Sequence, residues 1–335
     1  MNHKISWLIL PIALLLLEIH DSKAQSIKGK LFDAETDSLV AFASVYFNAA
    51  FKGTSSDSEG NFELNIKEYQ GQSIVFSCVG YESTVLEEYE PGHFYNVYMK
   101  PRHTLLEDVL VEPDEMPREL KERIFKNQFL GWSDNSMSCQ IQNIEDIRLV
   151  YFKSSNTLEG YCDKPIIIWN KALGYKITYY LEKFESRRES LIYQGNFYFE
   201  NEESFSKPQF KRVQKRRLQT YKGSRMHFFR AMWNDGLKKE KFIVSTGSKK
   251  QMEYEELVTE MPEYKKYLSG VTPLIVKYRS SALTTLQMKN PEVFFDQKGY
   301  FDPSGISWSG EMSNERVGDL LPFGYLPKAK FDKRK

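Results

Sequence analysis

The stretch Gly53–Tyr81 reads GTSSDSEGNFELNIKEYQGQSIVFSCVGY. Asp57-Ser58-Glu59-Gly60-Asn61 is a tight-turn sequence, with Gly60 and Asn61 as residues that tolerate the positive φ of a hairpin. Phe62, Leu64 and Ile66 then alternate with Glu63 and Asn65, so one face of the strand is apolar and the other wet. Ile74, Phe76 and Cys78 alternate with Val75, Ser77 and Val79, apolar on both faces as in a central strand. Nothing in this stretch is arranged for chemistry. It predicts a small antiparallel β-sandwich.

Working outward, Ile27, Gly29 and Leu31 alternate with Lys28 and Lys30, and Ala43, Val45 and Phe47 with Ser44 and Tyr46. Thr54–Asp57, Asn96–Met99 and Val109–Val111 bring the strands of residues 25–111 to about seven, the number an immunoglobulin-like sandwich uses. Ile27-Lys28-Gly29-Lys30, Ala43-Ser44-Val45-Tyr46-Phe47, Gly53-Thr54, Asp57–Phe62, Val79-Gly80-Tyr81 and Leu106-Glu107-Asp108-Val109 occur in the order that resembles the carboxypeptidase-regulatory-like domain, a transthyretin-like sandwich of bacterial envelope proteins. The resemblance implies a fold and an envelope location. It implies no activity, because in metallocarboxypeptidases such a domain follows the catalytic one and holds no catalytic residue. TonB-dependent receptors begin with the same domain, but the residues after Val111 are too few for a plug and its large barrel.

In front of the sandwich, His3 and Lys4 precede the apolar run Ile5–Leu17, and Ser22-Lys23-Ala24 offers small residues at the −3 and −1 positions of a cleavage site. Residues 1–24 therefore read as a signal peptide, too short in its apolar core to span a bilayer. Gln25 rather than a cysteine would follow the cut, so a lipoprotein anchor is not expected. The expected location is the periplasm or an outer-membrane surface. The whole chain carries 46 basic and 45 acidic side chains, a net charge of +1. The leader holds two of each sign (Lys4, Lys23, Glu18, Asp21), so cleavage leaves that balance unchanged. Such a charge gives no bulk attraction to nucleic acid or membrane.

Glu112 to Gly131 reads as an acidic linker bracketed by Pro113 and Pro117, then a helix over Arg118–Leu130 with Leu120, Ile124 and Phe125 on one face and Gly131 as its C-cap. Residues 132–335 return to strands: Ile147–Tyr151, Thr157–Cys162, Pro165–Trp169, the alternating Tyr175–Glu182, Leu191–Phe199, Leu274–Tyr278 and Val293–Phe295. A helix is expected at Ser224–Trp233. The fold class is thus mainly β: an N-terminal seven-stranded sandwich, a linker helix, and a larger antiparallel β-rich domain with one or two helices. Asn170–Ile177, Tyr221–Ala231 and Leu320–Pro327 resemble an uncharacterised region that accompanies the regulatory-like domain in exported bacterial proteins, and that resemblance brings no activity. Cys139 and Cys162 flank a hairpin and could pair in an oxidising compartment.

Few residues suit catalysis. His93, His103 and His227 are the histidines behind the leader. His103 and Glu107 lie on an extended segment, where the four-residue spacing separates them by about 13 Å, so no zinc-ligand pair is expected. Placing Gly60 at the sixth position of a calcium loop would put Ser55 and Ile66 at its carboxylate positions, which excludes that reading. His227 lies on a helix near Arg225 and Arg230 and is the weak catalytic candidate. Lys207, Lys211, Arg212, Lys215, Arg216 and Arg217 form the strongest charge feature. Two readings of it stay open: a solvated strand or loop face paired with Glu200, Glu202 and Glu203, or a contact for anionic lipid headgroups or an acidic glycan. Export argues against nucleic acid.

These readings together predict an exported, non-catalytic binding or assembly module of the bacterial cell envelope. No catalytic, metal or cofactor site is expected, nor a transmembrane segment after cleavage, and the partner would be an envelope protein or glycan. A hydrolase with its site in the second domain is the alternative.

Overall fold

The computed structural model describes residues 26–327 apart from 52, 68, 70–71, 103–113, 203, 248–250, 262–264 and 281–282. The predicted leader, the His103/Glu107 pair and the strand Val109–Val111 lie outside the described residues. The chain divides into two units, one of Met1–Phe47 and Gly53–His103, the other of Asn48–Lys52 and Thr104–Lys335.

In the first unit, β1 (Ser26–Asp33), β2 (Ser44–Phe47), β3 (Gly53–Ser55), β4 (Asn61–Asn65), β5 (Ile74–Ser77), β6 (Thr84–Leu86) and β7 (Phe94–Met99) form two sheets, ordered β4-β1-β7 and β3-β2-β5-β6. The count of about seven holds with β6 as a member that the sequence did not announce. One pairing departs from the antiparallel expectation, since β1 and β7 run parallel with Lys28 opposite Phe94. Strands so far apart in sequence escape the hairpin constraint that makes neighbours antiparallel.

Asp57 organises the turn before β4. Its carboxylate accepts from the backbone N–H groups of Glu59 and Asn61, both at 2.8 Å. Gly60 takes the positive φ of 76°, whereas Asn61 does not, contrary to the expectation from its residue type; its side-chain amide instead donates to Asp57. Phe62 from one sheet meets Phe76 from the other edge-on, with centroids 5.2 Å apart. Gly29 makes room for this contact, because a Cβ there would lie 2.6 Å from the Phe62 ring and 2.2 Å from the Tyr95 carbonyl oxygen. At the far end of the quoted stretch, the Tyr81 hydroxyl donates to Asp33 at 2.9 Å.

The second unit opens with α1 (Arg118–Leu130) and the single turn α2 (Asp134–Met137). A six-stranded antiparallel sheet follows, from β8 (Cys139–Ile141), β9 (Arg148–Phe152), β10 (Thr157–Tyr161), β11 (Ile166–Asn170), β12 (Tyr175–Ser186) and β13 (Leu191–Asn201). The order is β8-β11-β12-β10-β9, with β13 along β12. Phe125 and Phe129 of α1 are fully buried on this sheet, 4.6 Å from Phe184 and 5.0 Å from Tyr179 between centroids. Asn48–Phe51 shield the edge of β13: the Ala49 N–H donates to Phe197 O and the Phe199 N–H to Ala50 O. Covering an edge in this way removes a template for foreign strands.

Two helices, α3 (Lys207–Tyr221) and α4 (Arg225–Trp233), lead to a second core. There α5 (Tyr254–Leu257) accompanies β14 (Phe242–Thr246), β15 (Val258–Met261), β16 (Lys265–Leu268), β17 (Leu274–Tyr278), β18 (Leu283–Met288), β19 (Val293–Phe295) and β20 (Ile306–Gly310). These strands make two antiparallel sheets, β14-β17-β18-β20 and β15-β16-β19. Phe228, Phe229 and Met232 of α4 pack among Leu274, Leu286 and Phe295. Ser224 caps α4 by accepting from the His227 N–H at 3.0 Å, so this helix stands where the sequence placed it. The basic run does not: a helix of 15 residues replaces the predicted strand or loop. The disulfide is absent as well, because β8 pairs only with β11 while β10 lies between β9 and β12, and both thiols are free.

Candidate functional site

Helix α3 is built to hold one face down and one face out. Gln209 closes a capping box, its Oε1 accepting from the Ser206 N–H at 2.9 Å and the Ser206 hydroxyl at 2.7 Å, and Pro208 sits in the first turn where its missing donor does no harm. Val213, Arg217 and Tyr221, spaced by four, are the buried residues. Lys207, Lys211, Arg212, Lys215 and Arg216 are exposed. At about 100° per residue these five cover about half the helix circumference, and the helix contains no acidic residue. Among the described residues none of the five side chains makes an ion pair or hydrogen bond.

Arg217 therefore leaves the predicted patch. It is 7 % exposed, and its Nε donates to the Leu173 carbonyl at 2.7 Å and its Nη2 to the Gly174 carbonyl at 3.1 Å. Its guanidinium stands 3.9 Å from the centroid of the Tyr175 ring. Phe205 and Val213 close over Gly174, whose φ of 64° and lack of a Cβ make the turn possible. The arginine is a fastening between α3 and the turn that leads into β12.

Among the described residues, Glu200 and Glu202 do not pair with the five surface cations. Glu200 pairs with Lys176 across β12 and β13 at 2.8 Å, and Glu202 accepts from the Ser204 hydroxyl and N–H. Glu203 lies outside the described residues. Instead, the cations repel one another. Lys207/Lys211, Lys211/Lys215 and Arg212/Arg216 are like pairs at i,i+4, each destabilising the helix by about 0.2–0.5 kcal/mol. Lys207 also stands at the positive end of the helix dipole. Phe210 was missed by the sequence reading. It is 45 % exposed in the first turn of α3, in line with the buried stripe of Val213 and Arg217 and not among the cations.

His227 sits elsewhere, on α4, ringed by Tyr221, Phe242 and Tyr278 at centroid distances of 4.7, 4.9 and 5.6 Å. The Gly223 N–H donates to its Nδ1 at 3.1 Å, so Nδ1 is an acceptor and the ring proton resides on Nε2, facing Glu240 Oε2 at 3.1 Å. Burial lowers its pKa; the Glu240 carboxylate opposes that shift, and Arg230 and Arg279 reinforce it. Both nitrogens are committed, and among the described residues no hydroxyl or thiol bonds to either. The arrangement positions a neutral imidazole within an aromatic wall.

His93 is exposed beside Glu90, and among the described residues no three potential metal ligands converge. A cavity of about 370 Å³ opens where β14 ends and β17 begins, lined in part by Met252, Glu256, Val271 and Pro273. None of the predicted site residues lines it. No helix among the described residues is long and apolar enough to cross a membrane.

No curated protein matches the chain significantly. Among solved structures, a protein of Bacteroides uniformis provisionally described as carbohydrate-binding aligns at 9 % identity over 51 % of this chain and 94 % of its own, with a TM-score of 0.19. A Bacteroides fragilis protein of unknown function, provisionally described as membrane-associated, aligns at 12 % identity over 84 % and 93 %, with a TM-score of 0.17. Scores at this level carry no argument about ligand or location. Residues 27–111 match the family of the CarboxypepD_reg-like domain, the family to which the turn at Asp57 and the strands around it had pointed.

Proposed function

We propose that this chain is a non-catalytic binding or assembly module of the bacterial cell envelope that meets an anionic partner through the exposed face of α3. One observation supports the reading above all: five cations share half a helix with no carboxylate among them and no partner among the described residues. A net charge of +1 cannot retain the chain on a polyanion, so any retention must come from a local field. The His227 geometry supports the same side of the choice, since a ring with both nitrogens engaged is a poor general base.

Chromatography of the chain from Gln25 onward on immobilised dextran sulfate tests this reading. The parent should be retained at low salt, and a Lys211→Gln/Lys215→Gln variant should elute at clearly lower salt. Lys239→Gln/Lys289→Gln removes the same charge from exposed positions elsewhere and should leave elution unchanged. Equal shifts in the two variants, or no retention of the parent, would defeat the proposal.

A further inference from the structure

The last strand of a sheet turns a row of N–H and C=O groups outward, and folded proteins shorten, charge or cover such edges. In the first unit β3 and β6 are three residues long, and β4 carries Glu63. β7, Phe94-Tyr95-Asn96-Val97-Tyr98-Met99, has none of these devices: it is six residues long with no charge, proline or glycine. Among the described residues no strand lies beyond it, since the sheet order is β4-β1-β7. Its parallel register on β1, with the Lys28 N–H donating to His93 O, commits the odd-numbered backbone groups of β7 to β1. The even-numbered ones face outward. The Tyr98 and Lys100 carbonyls on that side are already served, by the Thr84 hydroxyl at 3.5 Å and the Glu82 N–H at 2.8 Å. Among the described residues the N–H and C=O groups of Phe94 and Asn96 have no such partner, and both residues are exposed, Phe94 by 60 %.

An open backbone edge selects its occupant, because another extended chain supplies C=O and N–H groups at the matching spacing. β7 meets that requirement for itself. About a twofold axis at Tyr95, an antiparallel copy sets Phe94 against Asn96 of the partner subunit and Asn96 against Phe94 of the partner subunit. Two residues that each exchange both backbone bonds use every open group of both edges. Tyr95 meets Tyr95 of the partner subunit in the close, non-hydrogen-bonded pair, where aromatic side chains attract across strands. No like charges meet, because β7 has none. The strand begins at Phe94, after Gly92 at a φ of 81°, so the copy does not reach the occupied Tyr98 carbonyl. We infer that β7 is a self-pairing edge, through which two copies of this chain join their β4-β1-β7 sheets into one.

An edge this short falls below the roughly 1,200 Å² of a stable interface, so the pairing is weak and shows at roughly 0.1–1 mM chain. Sedimentation equilibrium of the chain from Gln25 onward should give a dimer across that range. Amide exchange at Phe94 and Asn96 should slow as the dimer forms. Asn96→Pro removes one outward N–H from each copy, and at about five-fold per lost bond should weaken the pairing about 25-fold. Asn96→Glu should weaken it too, since the carboxylate lies beside Lys30 in its own chain but meets the Phe94 ring across the axis. Asn65→Glu places the same charge on β4, at the opposite edge, and should change nothing. Protected amides in β1 show that each variant keeps its first unit folded. No residue of α3 takes part, so dilute Asn96→Pro should elute from dextran sulfate with the parent. A chain that stays monomeric throughout, or a dimer indifferent to both Asn96 substitutions, would overturn the inference. So would protection of the Phe94 and Asn96 amides in dilute solution, which would mean an edge filled from within the chain.

Discussion

Arg217 offers the sharpest separation of structure from function in this chain. Read from sequence it is one of six cations in a surface run; in the fold it is a buried fastening. Its bonds to Leu173 O and Gly174 O use a charged donor, each contributing about 1.5–3 kcal/mol. The contact with the Tyr175 ring adds about 2 kcal/mol in a desolvated setting. Those contributions total roughly 5–8 kcal/mol. Against them, holding a guanidinium out of water costs several kcal/mol, which Arg217→Ala recovers. The expected net loss is about 3 kcal/mol, with Arg217→Lys intermediate because a point-like ammonium cannot serve both carbonyls as a planar fork does. Tryptophan fluorescence suits the measurement, because Trp132, Trp169, Trp233 and Trp308 all belong to the second unit. In urea, 3 kcal/mol corresponds to a midpoint lowered by about 1–2 M for a unit of this size. Retention of the folded variant on dextran sulfate should stay close to that of the parent. A midpoint within about 0.2 M of the parent would refute the fastening. So would a loss of retention comparable to that of Lys211→Gln/Lys215→Gln.

Further outcomes follow from other sites. Phe129→Ala removes a fully buried ring that meets Phe125 and Tyr179, each at 5.0 Å, and should lower the stability of the second unit by about 3–5 kcal/mol in the same urea assay. His227 has a folded pKa below its ordinary value of 6.5, so below that pH the unfolded chain binds the proton more readily and His227's contribution to stability falls with pH. The stability gap between parent and His227→Gln should therefore narrow from pH 7 toward the lower folded pKa; a constant or widening gap contradicts the buried neutral ring. In the first unit, Gly80 holds a φ of 85° with no atom within 4 Å of an added Cβ, so Gly80→Ala should cost only about 1–2 kcal/mol of backbone strain. Gly29→Ala should be far more damaging, because its Cβ would sit 2.2 Å from Tyr95 O in the neighbouring strand; faster amide exchange in β1 and β7 is the readout.

The sequence was most legible where side-chain period and burial coincide. In β4 the alternation of Phe62 with Leu64 matches the buried face residue by residue, and in β12 Tyr175, Ile177 and Tyr179 are buried as expected, although Thr178 on the other face is buried too. α1 was legible from its glycine end as much as from its apolar face, and α4 from its apolar residues, with the serine cap seen only in the fold. α3 was hidden because its buried stripe is Val213, Arg217, Tyr221: a cation at the middle position breaks the apolar period that marks a helix. The readable sign was the cap, Ser206-x-x-Gln209 with Pro208 in the first turn. The exposed cations were legible as residues, but their common face was not, since it depends on the helix. Phe210 could not be singled out among so many aromatic residues until its exposure was known. The parallel pairing of β1 with β7 left no local mark, because it joins segments separated by the rest of the sandwich.

Carbonyl oxygens do not titrate, and the bonds that hold Arg217 lie away from bulk solvent. Dissolved ions therefore have little purchase on the seat of α3, whereas they reach every charge on its outer face. A rise in ionic strength should thus act as a release signal, freeing the helix from an anionic surface while its geometry persists. The protein could then leave and return to such a surface many times without refolding between visits.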